Sequence, residues 1–302
     1  WNKLFVFALD EAERLGLQMG FNIQSGWNLG GPVVTPQYAA KQITFSETKI
    51  SGNKEVAVKL ELPNLRDNFY KDIAVLAFPV GNEQKTNKVI TDLDLKLGYH
   101  ELGGSAPDTR FLLGNVSQRR TRNQDTVSYI VKKDAVINLT ASMDSEGNLN
   151  WKAPEGEWSI LRIGYTCTNS HVSTSSGDWQ GAVLDYMSTE AFDFYWNTVV
   201  EPIFHEAGRH VGTTLKYMET DSWECGGMNW TDKFAEEFSA YRGYDLLQYL
   251  PVVAGYVIDD IETTNAFLSD FRKTLGDLVA YNHYAVFQKY AHQYNMGIQP
   301  ES

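Results

Sequence analysis

Three carboxylates fall within six residues in the run Glu219-Thr220-Asp221-Ser222-Trp223-Glu224. The residues leading into it, Thr213 to Asp221, read as a strand. Strand parity puts Glu219 and Asp221 on one face, and Glu224 follows in the loop before Gly226-Gly227. Carboxylates held close together and shielded from water raise one another's pKa, which is what a general acid needs. A fourth carboxylate, Glu301, closes the strand-like run from Gly297. Two carboxylates from the ends of different strands suit glycoside hydrolysis. One protonates the leaving oxygen, and the other activates water or attacks the anomeric carbon. The plainer readings are a solvated acidic loop for the first group and a terminal residue without a role for Glu301. The strand-end position and the nearby Trp223 and Trp230 weigh against the first of these.

Groups suited to binding surround these candidates. The loop Asn22-Ile23-Gln24-Ser25-Gly26-Trp27-Asn28 offers amides, a hydroxyl and an indole, which match sugar hydroxyls and the C–H face of a pyranose. His171 stands in the polar run from Thr168 to Gln180. Asp185, just before the helix-capping Ser188, either contacts substrate or favours the helix N-terminus. Other chemistries lack their signatures. There is no H-E-x-x-H, calcium-binding D-x-D-x-D-G, G-x-S-x-G, P-loop or strand-borne G-x-G-x-x-G. Cys167 and Cys225 form no C-x-x-C pair.

The elements that must position these residues change texture twice. Helical spacing of Leu4, Phe5, Ala8, Ala12 and Leu15 stops at Gly16, and a short strand, Leu17 to Phe21, follows. Thr35 and Pro36 predict a short helix to Ala40. From about Ile43 the period becomes two, with Val56, Val58, Leu60 and Leu62, then Ile73, Val75 and Ala77, and finally Trp158 to Thr166. Residues from about 98 to 126 read as long loops. After Asn169 strands and helices alternate, with helices capped by Ser188 and Thr231, a kink at Pro202, and a long helical pattern from Ile261 to Tyr294. Such alternation implies a parallel sheet with crossover helices. The expected fold is therefore α/β plus β, a partial (β/α)8 barrel interrupted by a β-sandwich or jelly-roll insert. Residues 1–40 and 169–302 would be barrel segments, and 41–168 the insert.

The 302 residues include 26 Lys and Arg against 38 Asp and Glu, a net charge of −12, which argues against a nucleic acid surface. Hydrophobic residues make up 43%, a globular composition. No apolar run reaches about 18 residues, so no transmembrane helix is expected. Aromatic residues reach 13%, which core packing or sugar stacking can use.

Together these motifs resemble the α-L-rhamnosidases of glycoside hydrolase family 106. The resemblance rests on Asp10-Glu11-Ala12-Glu13-Arg14-Leu15-Gly16-Leu17, Ser25-Gly26-Trp27, Gly30-Gly31-Pro32 and Leu161-Arg162-Ile163-Gly164-Tyr165-Thr166. It extends through Asp221-Ser222-Trp223-Glu224, Asn229-Trp230-Thr231, Arg242-Gly243-Tyr244-Asp245 and Asp270-Phe271-Arg272-Lys273-Thr274-Leu275. It implies an inverting hydrolase of terminal α-L-rhamnosyl bonds in oligo- or polysaccharides, secreted or periplasmic, with calcium at the sugar site. Carried over by position, Glu224 would be the acid and Glu301 the base. Asn22, Trp27, His171, Asp185, Asp221 and Trp223 would contact substrate, and no calcium ligands are assigned. The resemblance also implies barrel strands before Trp1 and after Ser302, so that the chain is expected to be part of a larger enzyme. The competing expectations are a β-galactosidase-like barrel enzyme and a non-catalytic carbohydrate-binding segment.

Overall fold

The computed structural model describes residues 1–81, 85–100, 109–114, 128–221 and 224–301. The chain forms two compact units. One comprises Trp1–Ala40, Thr168–Gly226 and Gly276–Ser302, and the other Lys41–Cys167 and Gly227–Leu275.

The first unit is built on a parallel sheet. Met19–Asn22 and Gly297–Pro300 flank Leu215–Thr220, with Asn22, Glu219 and Gln299 in register. Met218 and Thr220 are buried on one face, while Tyr217 and Glu219 occupy the other. Among the described residues this sheet is open and three-stranded, so the expected barrel is not seen as a closed structure. Helix Asn2–Arg14 ends at Gly16, whose φ of +68° carries the chain out of the helix. Phe5 on this helix packs against Phe21, and Phe21 against Phe204.

Ser188 caps the next helix as expected, its Oγ accepting the Ala191 N–H at 3.2 Å. The kink expected at Pro202 takes the form of a π-helical turn, Trp196–Val200, between Thr189–Tyr195 and Glu201–Ala207. Proline lacks an N–H and crowds the carbonyl four residues back, so the helix widens before it. The Trp196 indole donates to Glu201 (3.1 Å), as does the Tyr294 hydroxyl. A second π turn, Ala280–Tyr284, divides the long C-terminal helical run. The short helix expected at Pro36–Ala40 is instead a turn. Tyr38 and Ala39 both bond back to the Thr35 carbonyl, and Ala39 then bridges to Leu184, which draws the chain into extended pairing.

The second unit is mainly antiparallel, with one short parallel pairing of Val257–Ile258 with Ser128–Val131. Lys41–Ser51, Glu157–Cys167, Lys71–Pro79 and Ile137–Asn138 form one sheet in that order, and Lys54–Lys59 pairs with Asn148–Ala153. Val75, Ala77, Trp158 and Ile160 meet Leu60, Leu139 and Leu149 in a buried apolar cluster. These two antiparallel pieces match the expected period-two texture, but they do not make a jelly roll among the described residues. Much of the 98–126 stretch read as loops, namely 101–108 and 115–126, lies outside the described residues. Within the stretch, Arg110–Leu113 is one helical turn. Helix Phe234–Arg242 stops at Gly243 (φ +79°), as its sequence predicts. Thr231 stands just before this helix, and its backbone carbonyl accepts the Phe234 N–H.

One ion pair stands inside this sheet. The nearly buried Arg162 clasps Asp72 through two bonds of 2.8 Å, and Tyr70 donates a third to the same carboxylate at 2.6 Å. Burial pushes the Asp72 pKa up, but the bonds from Arg162 and Tyr70 outweigh it and hold the carboxyl below its ordinary value. Arg162→Met should destabilise the fold by about 2–3 kcal/mol, because it strands a half-buried carboxylate. Urea unfolding at neutral pH measures this. Because the folded pKa is depressed, the wild-type advantage should fade as pH falls from the ordinary carboxylate range through the lowered value.

Candidate active site

The register Asn22–Glu219–Gln299 brings three parallel strand ends to one edge. The exits are tied together as well. Ile23 donates its N–H to the Glu219 carbonyl (3.0 Å), and Glu301 donates to that of Thr220 (2.9 Å). By alternation, Asn22, Glu219, Asp221, Gln299 and Glu301 belong to one face of this edge. Glu224 and Glu301 are both exposed.

Loop 22–31 is organised by its own polar groups and by the loop 169–183. Asn22 Oδ1 accepts the Gln24 N–H at 3.0 Å, and the Tyr195 hydroxyl donates to the Ile23 carbonyl at 2.9 Å. Gly26 has φ +93°, and a Cβ there would lie 1.9 Å from the Ser173 carbonyl oxygen, so a side chain at this position has no room. Trp27 is 44% exposed, and its N–H reaches Ser173. Asn28 is fully buried. Its Nδ2 donates to the Glu224 carbonyl (3.2 Å), while its Oδ1 accepts the Ser173 N–H (2.9 Å). One amide thus joins the loops carrying Trp27, Ser173 and Glu224.

The next residue along, Leu29, donates its N–H to the Tyr186 hydroxyl at 2.6 Å. That phenol is also hydrogen-bonded to the buried Cys225, and burial followed by this thiol raises its pKa. The Glu224-Cys225 segment is therefore held at one residue by Asn28 and at the next by Tyr186. Under Tyr186 lies His283, its ring centroid 4.2 Å away, with Phe192 edge-on to it at 5.3 Å. Neither His283 nitrogen has a partner among the described residues, and burial lowers its pKa to about 3. The imidazole is neutral at working pH and acts as a packing ring. Gln24 Oε1 and Thr220 Oγ1 are likewise buried without partners among the described residues. Each such orphan costs about 1–3 kcal/mol.

The candidate residues fall into groups. Asn22, Asp221 and Glu301 share the strand-end edge, Trp27 lies on the loop that leaves it, and Glu224 is known by its carbonyl, which Asn28 holds. His171 is exposed on the facing loop, where it bridges Ala182 and its Nδ1 lies 3.0 Å from the Asn169 carbonyl. Asp185 is 1% exposed, its Oδ1 accepting the Met187 N–H and its N–H bonding to Tyr38. It builds the turn into the Ser188 cap. Trp223 lies outside the described residues. Asn28, Tyr186 and Cys225 were not singled out from sequence. Asn28 shared the flagged loop, but its burial depends on partners more than 140 residues away.

A calcium site needs about six to eight oxygens. Among the described residues no three carboxylate, imidazole or thiol ligand atoms converge at the strand-end edge. The one such cluster, Asp10, Glu13 and His210, belongs to helix Asn2–Arg14 and the turn before the central strand, and Arg209 already pairs with both carboxylates. No step below runs through a metal.

Two consequences can be measured. Asn28→Ala should destabilise the fold by about 2 kcal/mol, since the Ser173 N–H loses a buried partner, and thermal unfolding reads this directly. For His283, the unfolded chain takes up a proton between pH 6.5 and about 3 that the folded chain refuses. Stability should fall with pH across that window, and His283→Phe should flatten the decline of Tm there.

The profile of the α-L-rhamnosidase family, glycoside hydrolase family 106, matches residues 1–302. A protein of Formosa agariphila named "Putative beta-glucuronidase" is 40% identical over 295 residues, covering 97% of this chain and 24% of that protein. The structure of a rhamnosidase from Novosphingobium sp. PP1Y superposes with a TM-score of 0.79 at 22% identity, over all of this chain and 40% of that one. The chain thus spans well under half the length of either protein. The fold agrees with that of the rhamnosidase structure, and the profile match over the whole chain makes this sequence a member of glycoside hydrolase family 106, the α-L-rhamnosidases.

Proposed function

We propose that this chain carries the catalytic centre of an inverting α-L-rhamnosidase acting on terminal rhamnosyl groups of oligo- or polysaccharides. Glu224 protonates the leaving glycosidic oxygen. Glu301 takes a proton from water, which attacks the anomeric carbon from the opposite face. Asn22, Trp27, His171, Asp221 and Trp223 contact the sugar, and the buried Asp185 shapes the turn behind it. The parallel strands are read as part of a (β/α)8 barrel, whose chemistry sits at strand C-terminal ends, and the antiparallel unit as its insert. A polymeric substrate places the protein outside the cytoplasm, and among the described residues no helix is long and apolar enough to cross a membrane.

The observation that carries this reading is the register at one edge. Two strands, Leu215–Thr220 and Gly297–Pro300, are adjacent and parallel, and each delivers a carboxylate candidate just past its C-terminal end. Asn28 then holds the Glu224 carbonyl and Tyr186 the Cys225 thiol, so the acid is presented from a fixed segment.

A second reading has its own support. The Formosa agariphila relative carries a glucuronidase name, so the same centre on a uronic acid substrate is the alternative. Assaying the intact enzyme on aryl α-L-rhamnoside and aryl β-D-glucuronide separates the two. Glu224→Gln and Glu301→Gln should each cost about 10²–10⁴-fold in kcat on the accepted substrate. Wild-type turnover in either variant removes that residue from the mechanism. Proton NMR of the first-formed anomer tests inversion; a retained configuration would replace the water-activating base with a nucleophile.

A further inference from the structure

The antiparallel unit holds a cavity of about 360 Å³, within the range of small-molecule sites. One wall is the edge strand Lys41–Ser51, where Phe45, Glu47 and Lys49 alternate onto a single face. The other walls bring Asn64, Phe111, Tyr129 and Tyr256. The cavity keeps aromatic surface open to solvent. Phe111 is 47% exposed and Tyr129 38%, although neither ring is loose. The Arg66 guanidinium lies 5.3 Å from the Phe111 ring, and Asn64 Nδ2 donates to the Phe111 carbonyl at 2.7 Å. Tyr129 lies 6.5 Å from Tyr256.

The polar groups are placed as firmly. Glu47 Oε1 accepts the Ser159 hydroxyl at 2.6 Å and the Tyr256 hydroxyl at 2.5 Å. These two donors lock the carboxylate and leave Oε2 as an acceptor at the cavity wall. Lys49 adds three N–H donors beside it. Fixed rings, one fixed carboxylate and one ammonium suit a pyranose, which offers an apolar C–H face and an edge of hydroxyl groups. A phosphate would meet Glu47 with like charge. A purely apolar ligand would leave Glu47 and Lys49 unused.

We infer that this cavity is a second saccharide-binding site, which holds a sugar of the polymeric substrate other than the one being cleaved. With a single carboxylate among its described lining residues, it binds and does not hydrolyse. The choice of sugar rests on the glycosidase reading; the site itself does not.

The test compares Phe111→Ala, Tyr129→Ala and Lys49→Ala in the intact enzyme. Affinity electrophoresis through a soluble rhamnose-containing polysaccharide reads binding, and kinetics on that polymer and on an aryl α-L-rhamnoside read turnover. Each ring variant should weaken polymer affinity and raise polymer KM about tenfold, or about 1.4 kcal/mol. Kinetics on the aryl glycoside should stay unchanged, since both rings are exposed and remote from Glu224 in sequence. Unchanged polymer affinity in all three variants overturns the site, as does failure of the wild type to bind the polymer. Equal loss on the aryl glycoside also overturns it, because that reports a damaged fold. An aryl glycoside that wild type does not cleave overturns the rhamnosidase reading alone, and polymer binding then still decides the cavity.

Discussion

The hydrogen-bond register of three parallel strands is the constraint on which the candidate site depends. Asn22, Glu219 and Gln299 share a row only because Met19–Asn22 and Gly297–Pro300 both pair with Leu215–Thr220. A one-residue slip of the last strand would send Gln299 and Glu301 to the opposite face. Side chains several residues beyond the sheet inherit this precision. The Glu219 and Thr220 carbonyls bind the backbone of the neighbouring exits, at Ile23 and Glu301.

Beyond the strands, positioning passes to buried polar groups. Asn28 and Tyr186 fix loops that have no regular structure, and each satisfies backbone groups that would otherwise be orphaned. The aromatic floor around His283 contributes in another way. A neutral imidazole between Tyr186 and Phe192 fills space and makes no hydrogen bond among the described residues. Its protonation is therefore tied to unfolding and not to catalysis. The antiparallel unit shows the contrasting strategy, in which Arg162 and Tyr70 both donate to the Asp72 carboxylate.

Much of this was legible in sequence where local chemistry decides it. The Ser188 cap, the Gly16 and Gly243 stops and the period-two strands follow from short-range patterns, and the structure shows them. The expected Pro36–Ala40 helix failed because pairing of Ala39 with Leu184 outweighs a favourable N-terminus.

By itself the sequence determined the family, through motifs that resemble it, and the alternation of elements and the residue types available for acid–base chemistry, which reside in local pattern and spacing. Tertiary structure alone decided that Asn22 neighbours Glu219, that Asn28 and Tyr186 hold the segment carrying Glu224, and that Asp185 is buried. It also opened the cavity beside Glu47. Each of these depends on chain segments far apart in sequence meeting across a sheet or a loop, and no local pattern encodes that encounter.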